Sequence, residues 1–174
     1  MSTMINGFLN VSRLESGKIY LDKQQFDFNK LLNEIIEETR FTIKSHALQF
    51  EQWQNDTLII NADKDKIGSV ISNLISNAIK YSPKGNLITI ETNIHDHSLK
   101  LSVKDEGMGI DKHDLKRLFD RYYRVQTSEM QHISGFGIGL YLSAEIIERH
   151  QGKIWADSEI GKGSTFYFTL PLEA

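Results

Sequence analysis

One helix sets the terms for everything else in this chain. Between Lys64 and Tyr81 the apolar residues Ile67, Val70, Ile71, Leu74, Ile75, Ala78 and Ile79 return at three- and four-residue steps. Successive helical residues turn by about 100°, which gathers these side chains into one arc from about 300° to 120°, measured from Ile67. That face is committed to a core. Asn73, Asn77, Lys80 and Tyr81 fall together at about 220° to 320°, along the margin of the buried face. Asparagine is a mediocre helix former, and two of them one turn apart at a core margin need a reason. A carboxamide oxygen can ligate Mg²⁺, which commonly takes few protein groups and keeps its waters and phosphates. A lysine one turn on can neutralise a phosphate. The alternative is the solvated face of an ordinary helix.

The flanking pattern is mixed. Asp27 or Asn29 caps a helix running to about Ser45, with Leu31, Leu32, Ile35, Ile36 and Ile43 on its apolar face. Leu48-Gln-Phe-Glu-Gln-Trp53 alternates as a strand does, and Leu58–Ile60 reads as another. Strands Leu87–Ile94 and Ser98–Lys104 follow, joined at the polar tip Asp96-His97. Asp111 opens a short helix through Phe119, and Gly139–His150 is a stronger one closed by Gly152. Ile154–Asp157 and Thr165–Leu170 are the last strands, with Gly161 and Gly163 making the turn between them. Helices and strands alternate irregularly, and several strands are joined by short turns. This predicts an α+β two-layer sandwich, a mixed and mostly antiparallel sheet with helices on one face.

Bulk properties remove several function classes. The 174 residues contain no cysteine, which excludes disulfides, thiolate metal sites and cysteine nucleophiles. The net charge of −3 comes from scattered residues, with no basic footprint for nucleic acid. No apolar run approaches the ~20 residues that cross a bilayer, so no membrane contact is expected of this segment. Met1–Glu15 carries Met4, Ile5, Phe8, Leu9, Val11 and Leu14 in an amphipathic helical pattern, stopped by Ser16-Gly17. A helix this short is marginal alone and needs a packing partner.

Three glycine-bearing segments remain. Asp105-Glu-Gly107-Met-Gly109 follows the alternating strand Leu99–Val103. A carboxylate at a strand end can present an acceptor to a flat ligand such as adenine, and the glycines let backbone approach the ring. A plain strand-to-helix turn accounts for the same residues. Gly135-Phe-Gly137-Ile-Gly139-Leu140 opens the helix through His150, where backbone N–H groups and the helix dipole suit phosphates. It is neither a Rossmann fingerprint nor a P-loop. Gly161-Lys-Gly163-Ser-Thr165-Phe166 is a hairpin turn that can also support a ligand loop.

Together and in this order, these segments resemble the ATP-binding domain of sensor histidine kinases. Asn73-Leu-Ile-Ser-Asn77-Ala-Ile-Lys80-Tyr81-Ser82 is similar to the family's N box, and Asp105–Gly109 to its first glycine box. Leu118-Phe119-Asp-Arg-Tyr-Tyr123-Arg124 is similar to the F box, Gly135–Leu140 to the second glycine box, and Gly161–Phe166 to the glycine box that follows. Ser12–Lys18 is similar to the end of the second helix of the dimerisation domain.

The resemblance implies the Bergerat-type ATP-binding sandwich of the gyrase, chaperone, histidine kinase and mismatch-repair (GHKL) group. It divides the chain into the end of a dimerisation helix at 1–18 and a catalytic domain at 19–174. It implies that Asn77 ligates Mg²⁺ with Asn73 assisting, that Lys80 contacts phosphate and that Tyr81 lies near the adenine. Asp105 accepts from the adenine amine, with Gly107 and Gly109 shaping that pocket. Arg124 reaches the γ-phosphate, and Gly135, Gly137 and Gly139 close over the phosphates. Ile110, Tyr123, Leu140 and Thr165 complete the nucleotide-contacting set. Val125–Ser134 would be a mobile lid that gates the chemistry.

The resemblance also marks what is missing. None of His46, His95, His97, His113, His132 or His150 has the sequence context of the family's phospho-acceptor histidine, and the expected acidic neighbour is missing with it. His150 reads as a cation at a helix C-terminus, where positive charge is favoured. The expectation is a fragment that binds ATP and Mg²⁺, does not phosphorylate itself, and serves a separate dimerisation and phosphotransfer domain. That domain belongs to the same parent protein, which would be membrane-anchored, and a response regulator lies downstream. A nucleotide-binding regulatory module without kinase activity is the alternative. A topoisomerase- or chaperone-type ATPase is a third reading, which Ser12–Lys18 and the F box disfavour.

Overall fold

The computed structural model describes residues 20–51, 57–84, 87–125 and 137–172. The expected helix at Met1–Glu15, the dimerisation assignment at 1–18, most of the expected lid and Gly135 lie outside these residues. In chain order the elements are β1 (Gln24–Asp27), α1 (Phe28–Thr42), β2 (Ala47–Glu51), β3 (Ile59–Ala62), α2 (Lys64–Lys80), β4 (Leu87–His95) and β5 (Ser98–Asp105). They continue with α3 (Lys112–Leu115), α4 (Gly139–Arg149), β6 (Lys153–Glu159) and β7 (Gly163–Pro171). The architecture is the expected α+β sandwich. A five-stranded sheet runs in the order β2-β4-β5-β7-β6, and β1 and β3 form a separate antiparallel ribbon. β2 is parallel to β4, and the other pairings in the sheet are antiparallel.

Strand alternation decides which face the helices cover. Ile88, Ile90, Leu99, Leu101, Val103, Phe166, Phe168 and Leu170 are buried. They meet across strands, with Val103 opposite both Ile90 and Phe166. Onto this ladder α2 lays Ile67, Val70, Ile71, Leu74, Ile75 and Ala78, all buried as the wheel required. α1 adds Phe28, Leu31, Leu32 and Ile36. Burying such side chains contributes roughly 1.5–3 kcal/mol each, the main term holding the layers together. The other sheet face is partly shielded by Trp155 stacked on Tyr167, with ring centroids 5.1 Å apart, and the ammonium of Lys100 lies 4.5 Å from the Tyr167 centroid.

Helix starts follow their capping residues. Asp27, not Asn29, caps α1: its Oδ1 accepts from Asn29 N (3.0 Å) and from Leu58 N (3.2 Å), tying the helix to the approach to β3. α1 ends at Thr42, short of the expected Ser45. Ile43 is extended at φ −103°, and Phe41 is 83% exposed, so nothing apolar beyond Ile36 rewards another turn. The expected helix Asp111–Phe119 is helical only at Lys112–Leu115. It then tightens into bonds from Arg117 N to Asp114 O and from Asp120 N to Arg117 O, which turn Leu118 into the core. β1 has no counterpart in the sequence pattern; its pairing with β3, from Gln24 opposite Ala62 to Asp27 opposite Ile59, holds it extended.

Asp63 caps α2 and anchors its position. Its carboxylate accepts from Lys66 N and Asp22 N and pairs with Lys66 Nζ at 2.6 Å. Burial pushes this carboxyl up, but these bonds more than offset it, and Asp63 sits below its ordinary value. Its own N–H donates to His150 Nε2 at 3.0 Å. This corrects the reading of His150 as a helix-terminal cation. His150 is 3% exposed, its Nδ1 is 2.7 Å from Ile146 O, and Nε2 acts as acceptor. That pattern is a neutral imidazole, and burial holds its pKa below the ordinary histidine value. Among the described residues no helix is long and apolar enough to cross a membrane.

Candidate functional site

The polar margin of α2 opens onto a cavity. Asn73, Asn77, Lys80 and Tyr81 form one side of it. A second side is made by Asp105 at the end of β5 with Gly109 and Ile110 in the segment beyond it. Leu118, Tyr123, Arg124 and Val125 close a third side, and Gly137, Gly139 and Leu140 at the start of α4 the fourth. Ser164 and Phe166 of β7 complete the wall.

Asp105 is the fixed point. The carboxylate is 3% exposed, and its Oδ1 accepts from Gly107 N (2.8 Å) and Ser164 N (3.3 Å). Both bonds fall on one oxygen, which leaves Oδ2 as the acceptor for a ligand. Burial raises the Asp105 pKa, and the two backbone amides only partly counter it. Gly109 takes a φ of +73°, and a Cβ there would stand 2.0 Å from Glu159 O. Gly107 lies against the wall, where a Cβ would come within 2.6 Å of Asp105 Oδ1.

Lys80 and Arg124 carry the opposite character. Lys80 sits 5.3 Å from the Tyr81 ring centroid, and its pKa is lowered first by burial and then by the Arg124 charge. Two cations facing one space favour an anion between them. Burial raises the Tyr81 pKa, so this phenol remains a neutral donor.

Asn73 joins two helices. Its Nδ2 donates to Ser143 Oγ (3.1 Å), and that hydroxyl donates to Gly139 O (2.9 Å). A Cβ on Gly139 would lie 2.6 Å from Asn73 Oδ1, so a side chain there would push the Asn73 carboxamide aside. Asn77, one turn on, also lines the cavity. Among the described residues no cluster of three or more His, Cys, Asp or Glu could hold a metal. A divalent cation here would depend on carboxamide oxygen and on the ligand's own oxygens.

The structure thus brings together twelve residues singled out from sequence: Asn73, Asn77, Lys80, Tyr81, Asp105, Gly109, Ile110, Tyr123, Arg124, Gly137, Gly139 and Leu140. Thr165 is not among the lining residues. Buried positions 164, 166, 168 and 170 of β7 face the helices, so Thr165 points to the other side, paired with Lys104 and Asp157. Ser164 takes the place expected of Thr165. Counting by twos from Phe166 would have found it. Leu118 and Val125, singled out from sequence only as the starts of the F box and the expected lid, also line the cavity.

Residues 62–174 match the family described as Histidine kinase-, DNA gyrase B-, and HSP90-like ATPase. The chain is 38% identical over 173 residues to the sensor histidine kinase WalK of Bacillus subtilis, covering 98% of this chain and 28% of that protein. It is 33% identical over 175 residues to the sensor protein kinase WalK of Staphylococcus saprophyticus, covering 99% of this chain and 28% of that protein. The chain thus spans 28% of the length of each of these two relatives. A nucleotide-free catalytic domain of histidine kinase ThkA superposes with a TM-score of 0.74 at 28% identity, covering 87% of this chain and 96% of that one. With that family match over residues 62–174 and a fold shared with a histidine kinase catalytic domain, the chain belongs to the family of histidine kinase-, DNA gyrase B- and HSP90-like ATPases.

Proposed function

We propose that this chain binds Mg-ATP in the cavity beside α2 and donates the γ-phosphoryl group to a histidine on a separate dimerisation domain. The observation that carries this reading is the polarity of the cavity: a buried acceptor at Asp105, and a pair of cations, Lys80 and Arg124. Adenine with its exocyclic amine complements the first, and a polyphosphate the second. Tyr81 lines the same cavity, and Gly107 and Gly109 keep the ring's surroundings free of side chains. Gly137 and Gly139, at the start of α4, bring backbone close to the phosphates.

The residues fit Mg²⁺. Asn77 offers a neutral oxygen on the cavity wall, and Asn73, fixed through Ser143, keeps the stripe in register. Held there, the ion would supply positive charge to offset that of the phosphates. The rest of the work is positioning, as phosphoryl transfer requires. In the transfer the bond from the γ-phosphorus to the β-bridging oxygen breaks, a P–N bond to the imidazole forms, ADP leaves and the imidazole releases its proton. Passage of the phosphoryl group to a response regulator would complete a two-component signal. A membrane-anchored parent and a dimerisation segment at 1–18 belong to the same reading.

Mixing the chain with [γ-³²P]ATP and a supplied dimerisation domain from a related kinase tests it. Label on the supplied histidine, with none on this chain, is the expected result. Tight ATP binding without transfer would overturn the kinase reading and leave a regulatory nucleotide-binding module.

A further inference from the structure

Tyr123 and Arg124 form a partition. On one side lies the nucleotide cavity; on the other lies a more open cleft whose walls also include Asp114, Arg117 and Tyr122. The ring of Tyr123 is held from the cleft side. Its hydroxyl donates to Asp114 Oδ1 at 2.5 Å. The Arg117 guanidinium lies 4.3 Å from the ring centroid and is itself paired with Asp120 at 3.3 Å. The backbone is held from the far side. Tyr122, at φ 62°, donates its N–H to Gly137 O at 2.9 Å, and a Cβ on Gly137 would come within 2.7 Å of Tyr123 O. Arg124 follows directly on this clamped residue.

Asp114 itself stands outside the nucleotide cavity. It belongs to α3, a single short turn with no buried residue. Its bond to Tyr123 raises the phenol's pKa, as expected of a carboxylate accepting from it. Such a charge-assisted bond is stronger and directionally narrower than ring packing.

We propose that Asp114 is a positioning residue of the nucleotide site: by holding the Tyr123 hydroxyl it fixes the partition and aims Arg124 at the polyphosphate. The inference rests on the nucleotide reading above and adds a residue that touches no ligand. Without the bond, the Tyr123 ring and the first atoms of Arg124 gain freedom that must be lost again when phosphates arrive. Adenosine, held at the Asp105 end, does not draw on that geometry.

Dissociation constants for Mg-ATP and for adenosine, with thermal midpoints, test this on the wild type, Asp114→Ala, Asp114→Asn, Tyr123→Phe and the Asp114→Ala/Tyr123→Phe pair. Asp114→Ala is expected to weaken ATP about fivefold, the yield of one ordinary hydrogen bond, and adenosine less than about twofold. Asp114→Asn, which keeps an acceptor oxygen, recovers most of the loss. The double variant is no weaker than the weaker single one, since both remove the same bond. Unchanged ATP affinity in Asp114→Ala, equal losses for ATP and adenosine, failure of Asp114→Asn to recover, or full additivity would each overturn the proposal. A wild type that binds neither ligand would instead overturn the nucleotide reading itself.

Discussion

The two ends of the cavity are built in opposite ways. At the Asp105 end the binding group is buried, its unused oxygen is selected by two backbone amides, and the neighbouring chain leaves no room even for a methyl group. At the other end Lys80 and Arg124 reach in on long side chains, and the lysine pKa is lowered first by burial and then by the Arg124 charge. The first end is finished before any ligand arrives. On the proposed reading the second would be completed by the ligand, whose charge would offset the repulsion between the two cations. A flat, neutral group needs a shaped surface, whereas a flexible polyanion needs charge more than shape.

The largest expected effect comes from breaking the rigid end. Gly109→Ala forces a side chain onto a positive-φ backbone and into Glu159 O. It should cost about 3 kcal/mol or more of stability, seen as a lower urea midpoint. A midpoint equal to the wild type would show that this end yields, and the contrast would fail.

Asp105→Asn tests the chemistry without disturbing the shape. The carboxamide oxygen can still accept from Gly107 and Ser164, but an NH₂ group then faces the ligand. Adenosine and ATP should both weaken by roughly 10- to 100-fold, the range for hydrogen bonds to charged groups. Stability should move the other way. Because burial raises the Asp105 pKa above its value of 3.8, the folded state holds this proton more tightly than the unfolded state. The carboxyl's contribution is therefore full below that value and is lost as pH rises through the folded pKa. Urea unfolding of both proteins from pH 3.5 upward should show the wild type losing ground to the variant across that window. Parallel curves would sink the account of Asp105.

The smallest effect sharpens the other end. Lys80→Ala should weaken ATP about tenfold at low salt and leave adenosine unchanged. The penalty should shrink as ionic strength rises, because a half-exposed charge is screened. Titrations at two salt concentrations check this; a salt-independent loss would mean that Lys80 acts by shape.

Much of this was legible beforehand, for reasons that differ by residue. The α2 stripe follows from the 3.6-residue period alone, and Asp105 with its glycines is local along the chain. Ser164 was equally legible by alternation, yet Thr165 was chosen from the resemblance. β1 was not legible: Gln24-Gln25-Phe26-Asp27 has little apolar alternation, and its partner lies more than thirty residues on. His150 looks like a helix-end cation until the packing of α2 against α4 buries it and brings the Asp63 N–H to its Nε2. The Asp114–Tyr123 bond spans nine residues across turns that obey no simple period.

The parallel pairing of β2 with β4 has a consequence for the order in which the chain assembles. The β4–β5 hairpin, with its two-residue turn at Asp96-His97, can zip from local contacts. β2 cannot join that way, because a parallel neighbour needs a crossover laid over the sheet first. Here that crossover contains α2. β2 pairs with β4 only across this long connection, a less local contact than the hairpin. The segment that lines the cavity is thus also part of the crossover that closes the sheet.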